Sequence, residues 1–263
     1  MKRAKSLSVL KRNESLLVHI KEIKADHPLW GYRRIWSYLK YRQGLSVNKK
    51  RIYRILKEQD MLVTPQARLK ARRGPMKSKP QAVRPNQFWG IDMTKILLSG
   101  WGWLYLVVVL DWHTKEIIGF SLNMQSKTDD WLDAVNMAVN NRFPVGIRES
   151  IKEPVYLISD NGCQPTSQRF MMNCSLVGIK QIFTTWCNPK GNSDTERVMR
   201  TIKEDAVWPF EWDNPFKFIN HLKQWINNYN TDFPHQALGN LTPQQFYEKH
   251  IVKEPINHEP SLT

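Results

Sequence analysis

The chain has 263 residues, 41% hydrophobic and 24% charged, which is enough apolar side chain for a core and excludes global disorder. No apolar run approaches the ~20 residues that span a bilayer, and the basic N-terminal stretch has no continuous apolar segment or cleavage site, which argues against membrane insertion and secretion and for the cytoplasm. Lys+Arg number 39 against 24 Asp+Glu, and the excess is segregated: residues 1–85 hold 23 basic and 5 acidic residues, net +18, while residues 86–263 hold 16 and 19, net −3. A basic block joined to a mildly acidic one is the pattern of a polyanion-binding module attached to something else.

The first block predicts three helices, at 13–26, 32–41 and 47–59. Pro28 ends the first, because proline disfavours helix in the residue before it. Gly44 separates the second from the third. In the third, Lys50, Arg54 and Lys57 share one side and Ile52, Ile55 and Leu56 the other. Gly31-Tyr32-Arg33-Arg34 opens the second helix, and Tyr41-Arg42-Gln43-Gly44 turns out of it. This suits a helix-turn-helix whose last helix enters a major groove. Residues 63–85 hold seven basic residues, no acidic ones and four prolines, and read as a linker that follows phosphates.

From residue 87 the texture changes. FWGIDMTKI, WLYLVVVLDW and IIGFSL predict three strands, followed by a helix at 128–141, a strand in PVYLIS, a helix at 166–177, a short strand in IKQIFTT and a helix at 193–208. Residues 216–229 and 243–250 predict appended helices. The order is that of an α/β fold with a mixed sheet covered by helices.

Three carboxylates stand out. Asp92 lies within an apolar strand, where a carboxylate is costly unless paired or metal-bound. Asp160 ends another strand, just before the turn-forming Asn161-Gly162. Glu196 begins a helix. Sixty-seven residues separate the first two and 35 the last two. Converging carboxylates suit Mg²⁺, which takes hard oxygen ligands and completes its shell with water and phosphate, and two such ions serve phosphodiester chemistry. Simpler readings stay open. Asp160 can merely cap its turn, Ser193-x-x-Glu196 is also a capping box, and Glu196–Arg200 can be a surface pair.

FWGIDMTKI, SDNGCQPTSQRF and NPKGNSDTERVMRTIKED, at this spacing, resemble the Asp–Asp–35–Glu core of bacterial insertion-sequence transposases, which belong to the retroviral-integrase superfamily. HPLWGYRRIWSYLKYRQGLSVNKKRIYRILKEQDML resembles the helix-turn-helix that precedes this core, and YNTDFPHQALGNLTPQQF resembles the family's C-terminal signature. The resemblance implies an α/β, RNase H-like mixed sheet flanked by helices, preceded by a small all-α helix-turn-helix domain. The expected divisions are 1–62 for DNA binding, 63–85 for the linker, 86–210 for the catalytic core and 211–263 for a C-terminal helical extension.

The resemblance implies further that Asp92, Asp160 and Glu196 are the catalytic residues and metal ligands, for two Mg²⁺ ions with Mn²⁺ able to substitute. Lys203 matches the basic residue the family carries seven places after its glutamate. Candidate DNA contacts are Arg33, Arg34, Lys50, Arg54, Lys57, Arg200 and Lys203. The implied activity is binding of element ends, metal-dependent strand cleavage and strand transfer. Implied partners are double-stranded DNA at the terminal repeats and target, further copies of the chain in a synaptic complex, and an upstream-frame DNA-binding protein fused by frameshift. The implied location is the bacterial cytoplasm, on the nucleoid when DNA-bound.

Phe233 departs from the family pattern, which has arginine in many relatives, and puts a phosphate contact there in doubt. The alternative function is a catalytically silent, domesticated DNA-binding protein, which loss of any of the three acids would signal; all three are present. Asp111 resembles nothing catalytic, and His235 reads as structural. Cys163, Cys174 and Cys187 lack CxxC spacing, so neither a disulfide framework nor a zinc site is expected. Trp101, Trp103, Trp186 and Trp208 are candidates for a DNA-facing surface.

Overall fold

The computed structural model describes residues 7–63, 80–184 and 191–251, which divide into two compact units. Trp186 and Cys187 lie outside the described residues.

In the first unit are residues 7–63 and 232–241. Helix α1 (Leu7–Asp26) stops ahead of Pro28, and α2 (Tyr32–Tyr41) and α3 (Lys49–Glu58) follow. The turn between them uses Gly44 at φ +67°. The Asn48 side chain caps α3 by accepting from the Lys50 N–H (2.8 Å). Trp36 Nε1 donates to the Val47 carbonyl (2.8 Å) and ties α2 to the entry of α3. The core is Ile20, Ile23, Trp30, Ile35, Leu39, Ile52, Ile55 and Leu56, so the apolar side of α3 is buried and Lys50, Arg54 and Lys57 stay outside.

Residues 232–241 complete this unit, although they lie some 170 residues beyond α3. Phe233 is buried edge-on against His27 (centroids 5.0 Å apart) and Trp30 (4.9 Å), which stack on each other at 3.9 Å. Ser37 donates to Asn240 (2.5 Å) and Arg42 pairs with Asp232 (2.9 Å). Of the region expected as one helical extension from residue 211, this segment therefore folds with the N-terminal helices. The helices on either side of it belong to the second unit.

The second unit is built on a five-stranded sheet of order β3-β2-β1-β4-β5. Strands β1 (Phe88–Leu98), β2 (Gly102–Asp111) and β3 (Ile117–Asn123) are antiparallel neighbours. Strands β4 (Val155–Ser159) and β5 (Ile179–Phe183) continue the sheet in parallel with β1. Helix α4 (Thr128–Arg142) covers one face, packing Trp131, Val135 and Ala138 with Trp89, Ile91, Val107 and Val109. It approaches so closely that a Cβ on Gly119 would lie 2.2 Å from the Ala134 carbonyl oxygen. A short helix, α5 (Ile147–Ser150), precedes β4, and α6 (Gln168–Leu176) lies between β4 and β5.

Side chains alternate along a strand. Gly90 and Asp92 therefore face away from Ile91 and α4, towards α7 (Ser193–Ile202). Val198, Met199 and Ile202 bury the inner side of that helix as its period predicts, and Ala206 beyond it is buried as well. Beyond Ile202 the α pattern gives way to a π turn at Lys203–Val207. Helices α8 (Pro215–Thr231) and α9 (Pro243–Ile251) follow. Among the described residues no helix is long and apolar enough to cross a membrane.

Candidate active site

Three elements bring the acidic residues together. β1 pairs in parallel with β4, with Gly90 opposite Ile158. Continuing that register by two residues sets Asp92 beside Asp160, which lies just past the end of β4. The Asp160 Oδ1 accepts from the Gly162 N–H (3.0 Å), and Asn161 donates across to the Thr184 carbonyl (2.7 Å), so the turn is fixed at both ends. Glu196 stands on the first turn of α7, exposed.

Asp92 reports their proximity. Its carboxyl is pushed up from 3.8 to about 6, first by burial and then by the negative charges of Asp160 and Glu196. The Met93 N–H bonded to its Oδ1 (2.8 Å) and the charge of Lys203 act in the opposite direction. A half-buried carboxylate that feels two more carboxylates is a site for positive charge. The donors are all hard oxygens, as Mg²⁺ requires. The convergence is one of electrostatic reach: among the described residues no three ligand-type side chains are drawn close enough to enclose a single ion.

The structure bears on the simpler readings of these residues. The cap of α7 falls on Asn192, so Glu196 is the fourth helical residue and not the third that a capping box needs. Arg200 pairs with Glu204 (2.5 Å). Asp194, the next acid along the helix, pairs with Lys115 (2.8 Å). Asp111 is wholly buried and accepts from the backbone N–H groups of Asn86, His113 and Thr114, so it shapes the β2–β3 turn. Cys163 is exposed and Cys174 buried.

Family models match most of the chain. An HTH-like domain matches residues 11–68, and two integrase core domain models match 82–189 and 177–243. Transposase InsD of the insertion element IS2A/D/F/H/I/K from Escherichia coli is 23% identical over 240 residues, covering 88% of this chain and 77% of that protein. The InsD copy on the F plasmid of the K12 strain aligns to the same extent. This chain belongs to the integrase-core DNA transposases of insertion elements. A chain of the simian T-cell lymphotropic virus intasome shares the fold, with a TM-score of 0.55, 15% identity, and coverage of 86% of this chain and 79% of the other.

In the transposase's N-terminal unit the candidate DNA contacts separate into two groups. Lys50, Arg54 and Lys57 lie along the exposed side of α3, and Arg33 lies over the ring of Tyr32 (5.7 Å), which itself meets Tyr53 on α3 (5.2 Å). Arg34 instead lies over the Trp30 ring (5.4 Å), beside the cluster that holds Phe233. A basic–aromatic group escaped the sequence reading. Lys49 sits over the Trp36 ring (4.4 Å), and Lys40 sits over both Trp36 (5.3 Å) and Tyr41 (5.0 Å). The interleaving of aromatic and basic residues in WSYLKY was the available signal. Trp101, Trp103 and Trp208 are all about half exposed or more.

Proposed function

We propose that the transposase cuts and joins DNA at the Asp92–Asp160–Glu196 cluster, with the exposed side of α3 gripping the element ends in the major groove. The observation that carries this reading is the electrostatic state of Asp92, a half-buried strand carboxylate raised first by burial and then by two others, one just past β4 and one on α7. The three carboxylates would hold two Mg²⁺ ions, with Mn²⁺ as a substitute, and such a pair supplies charge to activate an attacking oxygen and stabilise a leaving one. Asp92 is half-buried in the sheet, Asp160 follows a strand end and Glu196 stands at a helix start. Lys203 lies within electrostatic reach of Asp92, on the same side as Glu196, and would steady the substrate phosphodiester. No serine or tyrosine nucleophile is required. Hydrolysis of one strand at the element end frees a 3′-hydroxyl, and that hydroxyl then attacks a second phosphodiester at the same site, joining to its phosphorus as the P–O3′ bond of the attacked strand breaks and its 3′-hydroxyl leaves.

The same reading divides the work: the helix-turn-helix unit binds the terminal repeats, and the sheet unit performs chemistry within an oligomeric synaptic complex on cytoplasmic DNA. A silent, domesticated DNA-binding protein is not favoured, because all three acids are retained and converge. The test is strand cleavage and joining by the purified chain on a labelled element-end duplex with Mg²⁺. Asp160→Asn should abolish both while leaving end binding intact in a gel shift; substantial residual joining would overturn the assignment.

A further inference from the structure

Glu196 is exposed, so its position depends on how the first turn of α7 is held. That turn is gripped from the side away from Glu196. Around a helix with 100° per residue, Asp194 lies about 160° and Thr195 about 100° from Glu196. Asp194 pairs with Lys115 of the β2–β3 turn (2.8 Å), and the same ammonium donates to the Trp112 carbonyl (2.5 Å). Thr195 is fully buried, and its Oγ1 accepts from Trp112 Nε1 (3.2 Å). Asn192, also buried, donates through Nδ2 to the Ile91 carbonyl (3.0 Å), next to Asp92.

Gly90 makes room for this arrangement. A Cβ there would lie 2.0 Å from Thr195 Oγ1, 2.3 Å from Trp112 Nε1 and 2.8 Å from Asn192 Oδ1. Asp111 in turn fixes the turn that carries Trp112 and Lys115, by accepting from three backbone N–H groups. The contacts form one continuous chain from the buried turn to the helix that bears the exposed acid.

We propose that Thr195, Asp194, Lys115 and Trp112 are positioning residues for Glu196, holding α7 at the height and rotation from which its carboxylate completes the metal site. The proposal rests on the reading of Glu196 as a ligand. Groups that orient metal ligands typically change metal affinity by about 10–100-fold when removed.

The experiment titrates Mg²⁺ and Mn²⁺ into the full chain. It reads the metal concentration for half-maximal thermal stabilisation, alongside strand joining. Thr195→Val, which keeps shape but loses the hydroxyl, and Asp194→Asn should each raise that concentration about tenfold or more. Thr195→Ser should restore it. Asp194→Asn combined with Lys115→Met should be no worse than either alone, because the two residues act as a pair. Unchanged metal midpoints in folded Thr195→Val and Asp194→Asn would overturn the proposal, as would a Thr195→Ser variant as impaired as Thr195→Val. Asp194→Asn guards against a Thr195→Val variant that fails to fold. Glu196→Gln separates the two levels. If it loses the metal response while the positioning variants keep the wild-type midpoint, only the positioning proposal fails. If it keeps the response, both fail.

Discussion

Asp92→Asn should stabilise the metal-free protein while removing its chemistry. The carboxyl is raised from 3.8 to about 6, by burial first and then by Asp160 and Glu196. A carboxylate raised on folding leaves the native state holding more protons than the unfolded chain between those two values. Its destabilising effect is therefore absent below pH 3.8 and complete above pH 6. At about 1.4 kcal/mol per unit, the cost at pH 8 is about 3 kcal/mol. Asparagine removes the charge and keeps an oxygen to accept from the Met93 N–H, so little else is lost. For a unit of this size the gain corresponds to roughly 5–10 °C. The assay is thermal melting in EDTA at pH 8 and at pH 4, for wild type and variant. The gain should appear at pH 8 and vanish at pH 4, and Mg²⁺ should stabilise only the wild type. A gain of equal size at both pH values, or none at pH 8, would show that Asp92 does not carry this charge burden.

The other predictions concern the N-terminal unit. Phe233→Ala removes a buried ring from the His27–Trp30 cluster, which should cost on the order of 3–5 kcal/mol and speed amide exchange at Ile35 and Leu39; unchanged exchange would mean that the signature segment is not part of this core. His27 is lowered to about 4, chiefly by burial, so its contribution is complete above pH 6.5 and is lost as pH falls through 4. Exchange protection of this unit should weaken over that window, and His27→Gln should flatten the dependence. Lys50→Ala with Arg54→Ala should weaken duplex binding and reduce the salt slope by roughly two phosphate contacts, measured by titration at several salt concentrations; an unchanged slope would move the grip elsewhere on the unit.

Much of the architecture was legible in the sequence because it depends on local pattern. The opposed apolar and basic sides of α3 and the inner stripe of α7 are both periodic, and each lies where its period places it. The acids were conspicuous for a different reason, as carboxylates in apolar or strand-end settings that need a compensating partner. Long-range pairings were not legible. Nothing near Phe233 indicates that it packs on Trp30, because the contact spans some 200 residues and rests on ring shape alone. The Gly90 seat was hidden for the same reason, since an unremarkable strand glycine acquires its meaning only when Thr195 and Trp112 arrive. The π turn at Lys203–Val207 follows a helix whose apolar spacing reads as uninterrupted α, so periodicity could not reveal it.

The central claim is that Glu196 joins Asp92 and Asp160 in one catalytic centre. The most direct test is transfer of a labelled element-end strand to a target duplex by Glu196→Gln in Mg²⁺, with end binding followed in parallel by gel shift. The account predicts no joined product above background and unaltered end binding; near-normal joining would contradict it.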